Sequence, residues 1–518
     1  MFKKSKIVIF LLVSVLFCFH IFASKNNNIF FTVDQGRDAV YAREILNGHF
    51  FLKGPETSVR GLYAAPLWYY MTAVGYLFSA GHPVGPVILL TIFNLIFLFF
   101  LMKWVESKIG FKFAIILGLF LSLSWSFFEL SLWAFNPFPV AAIAIGQVIF
   151  LSEFLEGRKK FYLFALFMSF LAFNFEVAAA IVLLGFNLLV GIYAVKKKLI
   201  TLKEYLIPSL IVPSIVALPL AKQILRVFID TKLTSFQSGG LGVFSGTSFK
   251  ETLFSFINMI GEITPQIKIL GILIFAVTCV FFFKAKKTNH VVQTFVWLAI
   301  GLIVLSFVFF ASNKGHRSWH TVYISPLIII SLVLMLSQLK NKAIYFLLGG
   351  VLIFQVVNSY TKFSEYLTPS DNPGLLYNQM KVVDEVYKQS ENRGFKVYNY
   401  TDTFYDYPYQ YLFYWRGLNK YSYLPDEYSN FPLSAKDRYV PGYLRYSEPK
   451  RGVDNIKFLI VQSNTNGETN KDWIEKFRSY HRLASSVDIG ETKVEKYEAI
   501  NNIPDDYCIW WERDCDKK

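Results

Sequence analysis

The feature that most constrains this chain is a recurrence of apolar runs, each long enough to cross a lipid bilayer as a helix. "IVIFLLVSVLFCFHIFA" opens the series behind the basic "MFKKSK", and further runs of roughly 17 to 22 residues follow until residue 360. Hydrocarbon offers backbone N–H and C=O groups no partner, so such runs are confined to helices that satisfy their own hydrogen bonds. Of the 518 residues, 54% are hydrophobic and only 17% are charged, well below the charge content of a soluble globule. The expected fold class is a polytopic α-helical membrane protein.

Charge placement orders the runs. A net charge of +15 would suit a nucleic-acid partner, but many of the lysines lie in short clusters between apolar runs. That is membrane-orienting charge, and no nucleic acid is expected as a partner. Placing the N-terminus and every compact cluster in the cytoplasm threads the chain. The first run leaves as a retained anchor rather than the alternative, a cleaved signal peptide, since no clean small-residue cleavage site follows it. Residues 84–102 return, 113–131 leave, 139–154 return to "EGRKK", 161–175 leave, and 177–195 return to "KKK". Residues 205–224 leave, 266–283 return to "KAKK", 291–312 leave, 321–338 return to "KNK", and 343–360 leave for the last time. The count is about eleven transmembrane helices.

The outer face then collects a first loop at 25–83, "WAFNPFP" (133–139), "NFE" (174–176), the loop around 225–265, "NKGHRSWH" (313–320) and everything after residue 360. Polar groups capable of chemistry converge there, whereas the cytoplasmic face offers little beyond lysine. "PLWYYMTAVGYLFSAG" (66–81) is short and aromatic, so it is read as a helix lying in the headgroup layer. Two domains are expected: a transmembrane catalytic domain over 1–360 and an extracytoplasmic mixed α/β domain over 361–518. In the latter, 395–401, 456–463 and 491–500 read as strands, and 471–484 as a helix with Trp473, Ile474 and Phe477 on one face. Of the four cysteines, Cys18 and Cys279 lie in apolar runs. Cys508 and Cys515 are close enough for a small disulfide in an oxidising compartment, and no metal-ligand spacing is present.

Asp34 stands shortly beyond the first run, opening the helix-like "DAVYAREILNG". An isolated aspartate there is most simply a helix N-cap. Its company points further: Arg37 lies one turn on, Asp38 is next to it, and Gly36 permits close backbone approach to a ligand. A base and a cation on one turn suit a nucleophile attacking a phosphate-activated substrate.

"VDQGRDAVYAREILNGHFFL", followed by "APLWYYMTAVGYLFSAG", resembles the first outer loop of the GT-C class of membrane glycosyltransferases. Within that class it is similar to the group of protein O-mannosyltransferases and lipid A aminoarabinose transferases. Those enzymes follow a first membrane helix with an acidic motif, then a proline step and an aromatic cluster before an interfacial helix. Asp34, Arg43-Glu44-Ile45-Leu46, Gly48 and Pro66-Leu67-Trp68-Tyr69-Tyr70 fall at matching places, up to about residue 110. "LWAFNPFPV" resembles the family's short outer turn, with Asn136-Pro137 where some members have Asp-Pro. The resemblance implies that Asp34 is the catalytic base and Arg37 a phosphate contact; Asp38, Pro66, Tyr69, Asn136 and Glu176 are further substrate-cavity candidates. It departs at Gln35, where the family's second acid would stand, so no metal is assigned; Ala65 also replaces an expected lysine.

The basic turn "NKGHRSWH" offers Lys314, His316, Arg317 and His320 at an outer helix start, as replacement phosphate cations. The alternative is a solvated loop touching headgroups. Glu176 lies at the outer end of an apolar run, where an acid is costly unless paired or facing water. It would orient the acceptor, answer Arg37 or Arg317, or simply mark the boundary. The glycine-rich "SFQSGGLGVFSGTS" (235–248) resembles a lid more than a phosphate cradle. An outward-facing enzyme has no cytosolic nucleotide sugar within reach, so the expected donor is a polyprenyl-phosphate-linked sugar. The expected reaction transfers that sugar, with inversion, to a protein, lipid or cell-envelope glycan at the plasma membrane. A transporter or flippase of lipid-linked glycans, and a non-catalytic anchor for an outer binding domain, are the rival readings.

Overall fold

The computed structural model describes residues 2–499 apart from 23, 25, 58–61, 212–246, 286–287, 313–315, 340–342, 369, 401–405, 427, 429–450, 452–455 and 463–470. The chain forms two compact units. One comprises Met1–Phe22, Phe51–Tyr69 and Ile88–Phe363; the other comprises Ala23–Phe50, Tyr70–Val87 and Ser364–Lys518.

The helices, in chain order, are α1 (Phe2–Phe22), α2 (Val33–Leu46), α3 (Leu67–Phe78), α4 (Val84–Ile109), α5 (Phe111–Ser122), α6 (Trp125–Phe128), α7 (Pro139–Leu155), α8 (Phe161–Ala172) and α9 (Val177–Lys196). They continue as α10 (Phe249–Gly261), α11 (Lys268–Lys284), α12 (His290–Ser312), α13 (Ile324–Ser337), α14 (Ala343–Leu367), α15 (Leu376–Gln389), α16 (Tyr407–Arg416) and α17 (Lys471–Ser479). Among the described residues, seven helices are long and apolar enough to cross a membrane, or eight counting one bent pair. α7 and α8 are shorter apolar helices. The expected count of about eleven is thus reached only by including these short helices and the crossing at 205–224, most of which lies outside the described residues. A helix stands at each of the other ten expected places.

In the first unit, α13 is the central helix, with 89% of its apolar window buried, while only 17% of the window in α1 is covered. α7 packs on α8 and α12, and α13 on α12 and α5. Polar side chains hold the apolar bundle in register. Gln147 Nε2 donates to Leu183 O at 2.8 Å, Asn187 Nδ2 to Ala165 O at 2.8 Å, and Ser169 Oγ to Gln147 Oε1 at 3.3 Å. Such bonds tie α7, α8 and α9 where hydrophobicity alone cannot select a partner. Near the end of α7, buried Glu153 accepts from Trp104 Nε1 at 2.7 Å and pairs with Lys108 at 2.7 Å and with Arg158.

The single crossing expected over 113–131 is instead broken, with a 73° bend between Phe111–Ser122 and Trp125–Ser131. Ser122 Oγ turns back to Gly118 O and Ser124 Oγ to Leu121 O, each at 2.6 Å, which competes with the helical ladder. The carbonyls released by the break find new donors: His20 Nε2 reaches Ser122 O at 3.3 Å, and Ser359 Oγ reaches Leu123 O.

The second unit is built on a mixed sheet of β1 (Lys396–Tyr400), β2 (Ile456–Gln462), β3 (His481–Ile489) and β4 (Thr492–Ala499), in the order β1-β2-β4-β3. β1 and β2 run parallel and the other pairs antiparallel. Alternation splits the strands between two helical layers. Ile474 and Phe477 of α17 meet Tyr398, Leu459 and Tyr497 on one face. On the other, Tyr387 of α15 abuts Phe395, which abuts Phe458. The helix expected over 471–484 stops at Ser479, because the chain from His481 is taken up by β4. β3 is an edge strand exposed on most of its residues, so it carries little of the period-2 pattern that marks a strand in sequence. The Cys508–Cys515 pair lies outside the described residues.

The segment before α2 joins this unit through backbone pairing. Phe30 bridges Leu375, Leu376 N donates to Ile29 O and Tyr377 N to Asn27 O, each at 2.9 Å, and Gln379 Nε2 donates to Phe31 O at 3.0 Å. α2 then packs on α16. A Cβ at Gly36 would stand 2.4 Å from Pro408 N and 2.6 Å from Tyr407 C, so the approach of α16 requires glycine. Gly36→Ala is therefore expected to destabilise this unit by about 1–3 kcal/mol, because two backbone segments must separate. Thermal unfolding of the purified protein in detergent would register it as a lowered midpoint.

Candidate functional site

The turn that opens α2 is organised by its cap. Thr32 is the N-cap, and Gln35 Oε1 accepts from Thr32 N at 3.0 Å and from Thr32 Oγ1 at 2.6 Å. Asp34 is therefore not the N-cap; it lies in the first turn, where the helix dipole favours a negative charge. Gln35, which stands where a second acid was expected, is instead half of a capping box.

Arg37 lies between two carboxylates. Its Nη1 donates to Asp34 Oδ1 at 2.6 Å, its Nε donates to Asp38 Oδ1 at 2.8 Å, and its Nη2 lies 2.7 Å from the same oxygen. The Arg37 side chain is 4% exposed and that of Asp38 3%, whereas that of Asp34 is 43% exposed. Both buried charges are thus paired, and the outer carboxylate is held at one oxygen while facing solvent. The Arg37 guanidinium, expected as a phosphate contact, is engaged here by these two acids. Gly36, read in the sequence as room for a ligand, is filled by α16 of the same chain. Glu44 is buried and takes Arg43 Nη2 at 2.8 Å, while the Arg43 guanidinium lies over the Tyr414 ring at 4.4 Å.

The remaining candidates fall in the first unit, and most of them meet around residues 173–176. Asn136 Nδ2 donates to Phe175 O at 2.6 Å. Ala65 N donates to Phe173 O at 3.1 Å, Leu67 N to Asn174 Oδ1 at 3.3 Å, and Trp68 packs edge-on to Phe175. This fixes Pro66 and buried Tyr69, whose N–H donates to Pro66 O at 3.0 Å. Glu176 caps α9 by accepting from Ala178 N at 3.2 Å, and its Oε1 lies 3.9 Å from His320 Nε2. Burial raises the Glu176 carboxyl to about 7.

The turn bearing the basic cluster is a short 3-10 segment, Ser318–Thr321, leading into α13. His316 is buried against Phe256 and Phe310, with Nε2 3.0 Å from Thr321 Oγ1. Burial, with Arg317 adding to it, lowers its pKa to about 4, so it carries no charge at neutral pH. His320 is buried and stacked on Phe310. Arg317 is exposed; Lys314 lies outside the described residues, as does nearly all of the glycine-rich segment 235–248. Among the described residues no three His, Cys, Asp or Glu side chains converge as a metal would require.

Sequence reasoning passed over Thr32, which differs from any threonine in a loop only by the Gln three residues on. It also passed over Trp319, whose ring meets Phe135 edge-on at 6.1 Å and lies 6.0 Å below the Arg317 guanidinium. No signal in the chain pairs residues 135 and 319.

Two titrations leave opposite marks on stability. Glu176 is raised from 4.5 to about 7, so the folded state keeps a proton that the unfolded chain loses, and stability falls as pH rises through that window. His316 is lowered from 6.5 to about 4, so stability rises with pH between those values. The Glu176→Gln variant should lose the first trend and keep the second. Its unfolding midpoint minus that of the wild type should therefore climb from pH 4.5 to 7; a flat difference would refute the shift.

No protein-family model matches the chain, and neither does any curated protein. Among solved structures it is similar to ArnT from Cupriavidus metallidurans bound to undecaprenyl phosphate, with a TM-score of 0.54 at 12% identity. The likeness covers 94% of this chain and 97% of that one. At this identity the likeness is one of fold: the chain has a multi-pass, GT-C-like architecture similar to that of ArnT.

Proposed function

We propose that the protein is a membrane glycosyltransferase that moves a sugar from a polyprenyl-phosphate donor to an acceptor on the extracytoplasmic face. The observation that carries this reading is the fold likeness to ArnT, which spans nearly the whole of both chains and whose solved form holds undecaprenyl phosphate. The chemistry of the α2 turn is consistent with it. Asp34 offers a solvent-facing carboxylate whose orientation is set by a buried guanidinium. It would accept the proton of the acceptor's hydroxyl or amine as that atom bonds to the anomeric carbon. The bond between that carbon and the phosphate oxygen breaks on the opposite side, inverting the centre. The polyprenyl phosphate leaves with the electron pair, and Arg317 is assigned to meet its charge.

In this scheme Arg37 and Asp38 are positioning residues. Glu176, Asn136, Pro66, Tyr69, His316 and His320 shape the site within the membrane unit. The proposed division of labour places the catalytic turn and the bundle in residues 1–360 and an outward-facing domain in 361–518, although the α2 turn packs into the same compact unit as residues 364–518.

Labelled polyprenyl-phosphate sugars offered to membranes containing the protein should be consumed. Asp34→Asn should lower transfer by about 10²- to 10⁴-fold, the usual contribution of a general base, with membrane insertion intact. Near-normal turnover in that variant would reject Asp34 as the base. Arg37→Lys cannot bridge two carboxylates with a planar fork, so its rate should also fall while donor KM stays close to wild type. An equal rise in KM with kcat unchanged would instead return Arg37 to phosphate binding.

A further inference from the structure

The turn that carries Arg317 also carries an indole that the scheme above does not use. Trp319 is half-buried, and neighbours fix it on several sides. The Phe135 ring packs against it T-shaped at 77°, His320 lies against it at 81°, and Arg317 lies over its ring. Phe135 is itself braced: it stacks on Trp133 at 4.8 Å and 16° and meets Phe138 edge-on at 5.4 Å. Phe135 and Phe138 are buried, and neighbouring Asn136 ties this turn to Phe175 O. Four aromatic or imidazole rings, Phe135, Trp133, Phe138 and His320, thus hold one indole next to one exposed guanidinium.

A solvated loop touching headgroups would need none of this order. A sugar phosphate needs both parts. The phosphate calls for a charge-assisted donor, and the ring presents a patch of C–H groups that packs on an aromatic face while its hydroxyls stay free for water or polar partners. Arg317 and Trp319, separated by Ser318, hold a guanidinium and an indole ring 6.0 Å apart, near enough for one ligand to meet both.

We propose that Trp319 is the residue that reads the transferred sugar, stacking on its ring while Arg317 engages the phosphate, with Phe135 and Trp133 holding the indole in place. This rests on the donor class proposed above and adds the subsite that distinguishes a sugar-bearing lipid phosphate from a bare one. The rival occupant of the same rings is the headgroup layer itself, in which tryptophan is common as an anchor.

The purified full-length protein in detergent separates these. Trp319→Ala should raise donor KM about tenfold, the size of one lost aromatic contact, with Trp319→Phe in between. Affinity for sugar-free polyprenyl phosphate, measured as competitive inhibition, should change less than twofold in both variants. Equal weakening towards the sugar-free lipid would make Trp319 a lipid contact and overturn the proposal, as would an unchanged donor KM. Should the alanine variant fail to fold, the phenylalanine variant decides by the same two constants. If the wild type consumes no polyprenyl-phosphate sugar at all, the donor class fails rather than the subsite.

Discussion

A buried guanidinium cannot remain charged in a protein interior without partners, because its desolvation penalty exceeds what distant charges return. Arg37 has two, and they differ. Asp38 is as buried as the arginine and neutralises it, while Asp34 is half out in solvent and shares only one oxygen. The rest of the α2 turn supports this arrangement. The Thr32–Gln35 box starts the helix in the right phase, Gly36 lets α16 close over the opposite side, and Gln379 holds the backbone just upstream at Phe31. The outcome is one carboxylate whose position is set by buried groups and whose remaining surface is open to solvent.

The membrane unit solves a different problem. Its helices are apolar on nearly every side, so shape and a few hydrogen bonds must choose their neighbours. Gln147, Ser169 and Asn187 do this in the interior of the bundle, and Glu153 does it near one end. The break after α5 would leave carbonyls unsatisfied in hydrocarbon, and it is tolerated because His20 and Ser359, from α1 and α14, come to meet them. Packing of this kind brings Asn136, Glu176 and His320 to the same end of the bundle as Arg317 and Trp319.

Much of the architecture is legible along the chain because run length and charge clustering are local properties. Ten of the expected crossings have a helix in place, and three of the four strands were visible as alternating or continuous apolar runs. The misses share a cause. β3 was read as the end of a helix because an exposed edge strand lacks alternation, and the bend at 123–124 depends on serines whose hydroxyls are neutral in sequence until they turn inward. His316 looks like a cation in "NKGHRSWH" and becomes a neutral, buried ring only when Phe256 and Phe310 close on it.

By itself, the sequence determined the multi-pass helical class, the places of most helices and the short list of acids and bases, since each follows from residue type and spacing within a single segment. Only the tertiary structure decided which of those residues are buried and what each one touches. It buried Asp38 and left Asp34 open, paired Arg37 with both acids, gave Gly36 to α16 and set Trp319 against Phe135. The physical reason is that burial and partner choice are relations between segments far apart in the chain, and the charge and exposure of a side chain depend on them.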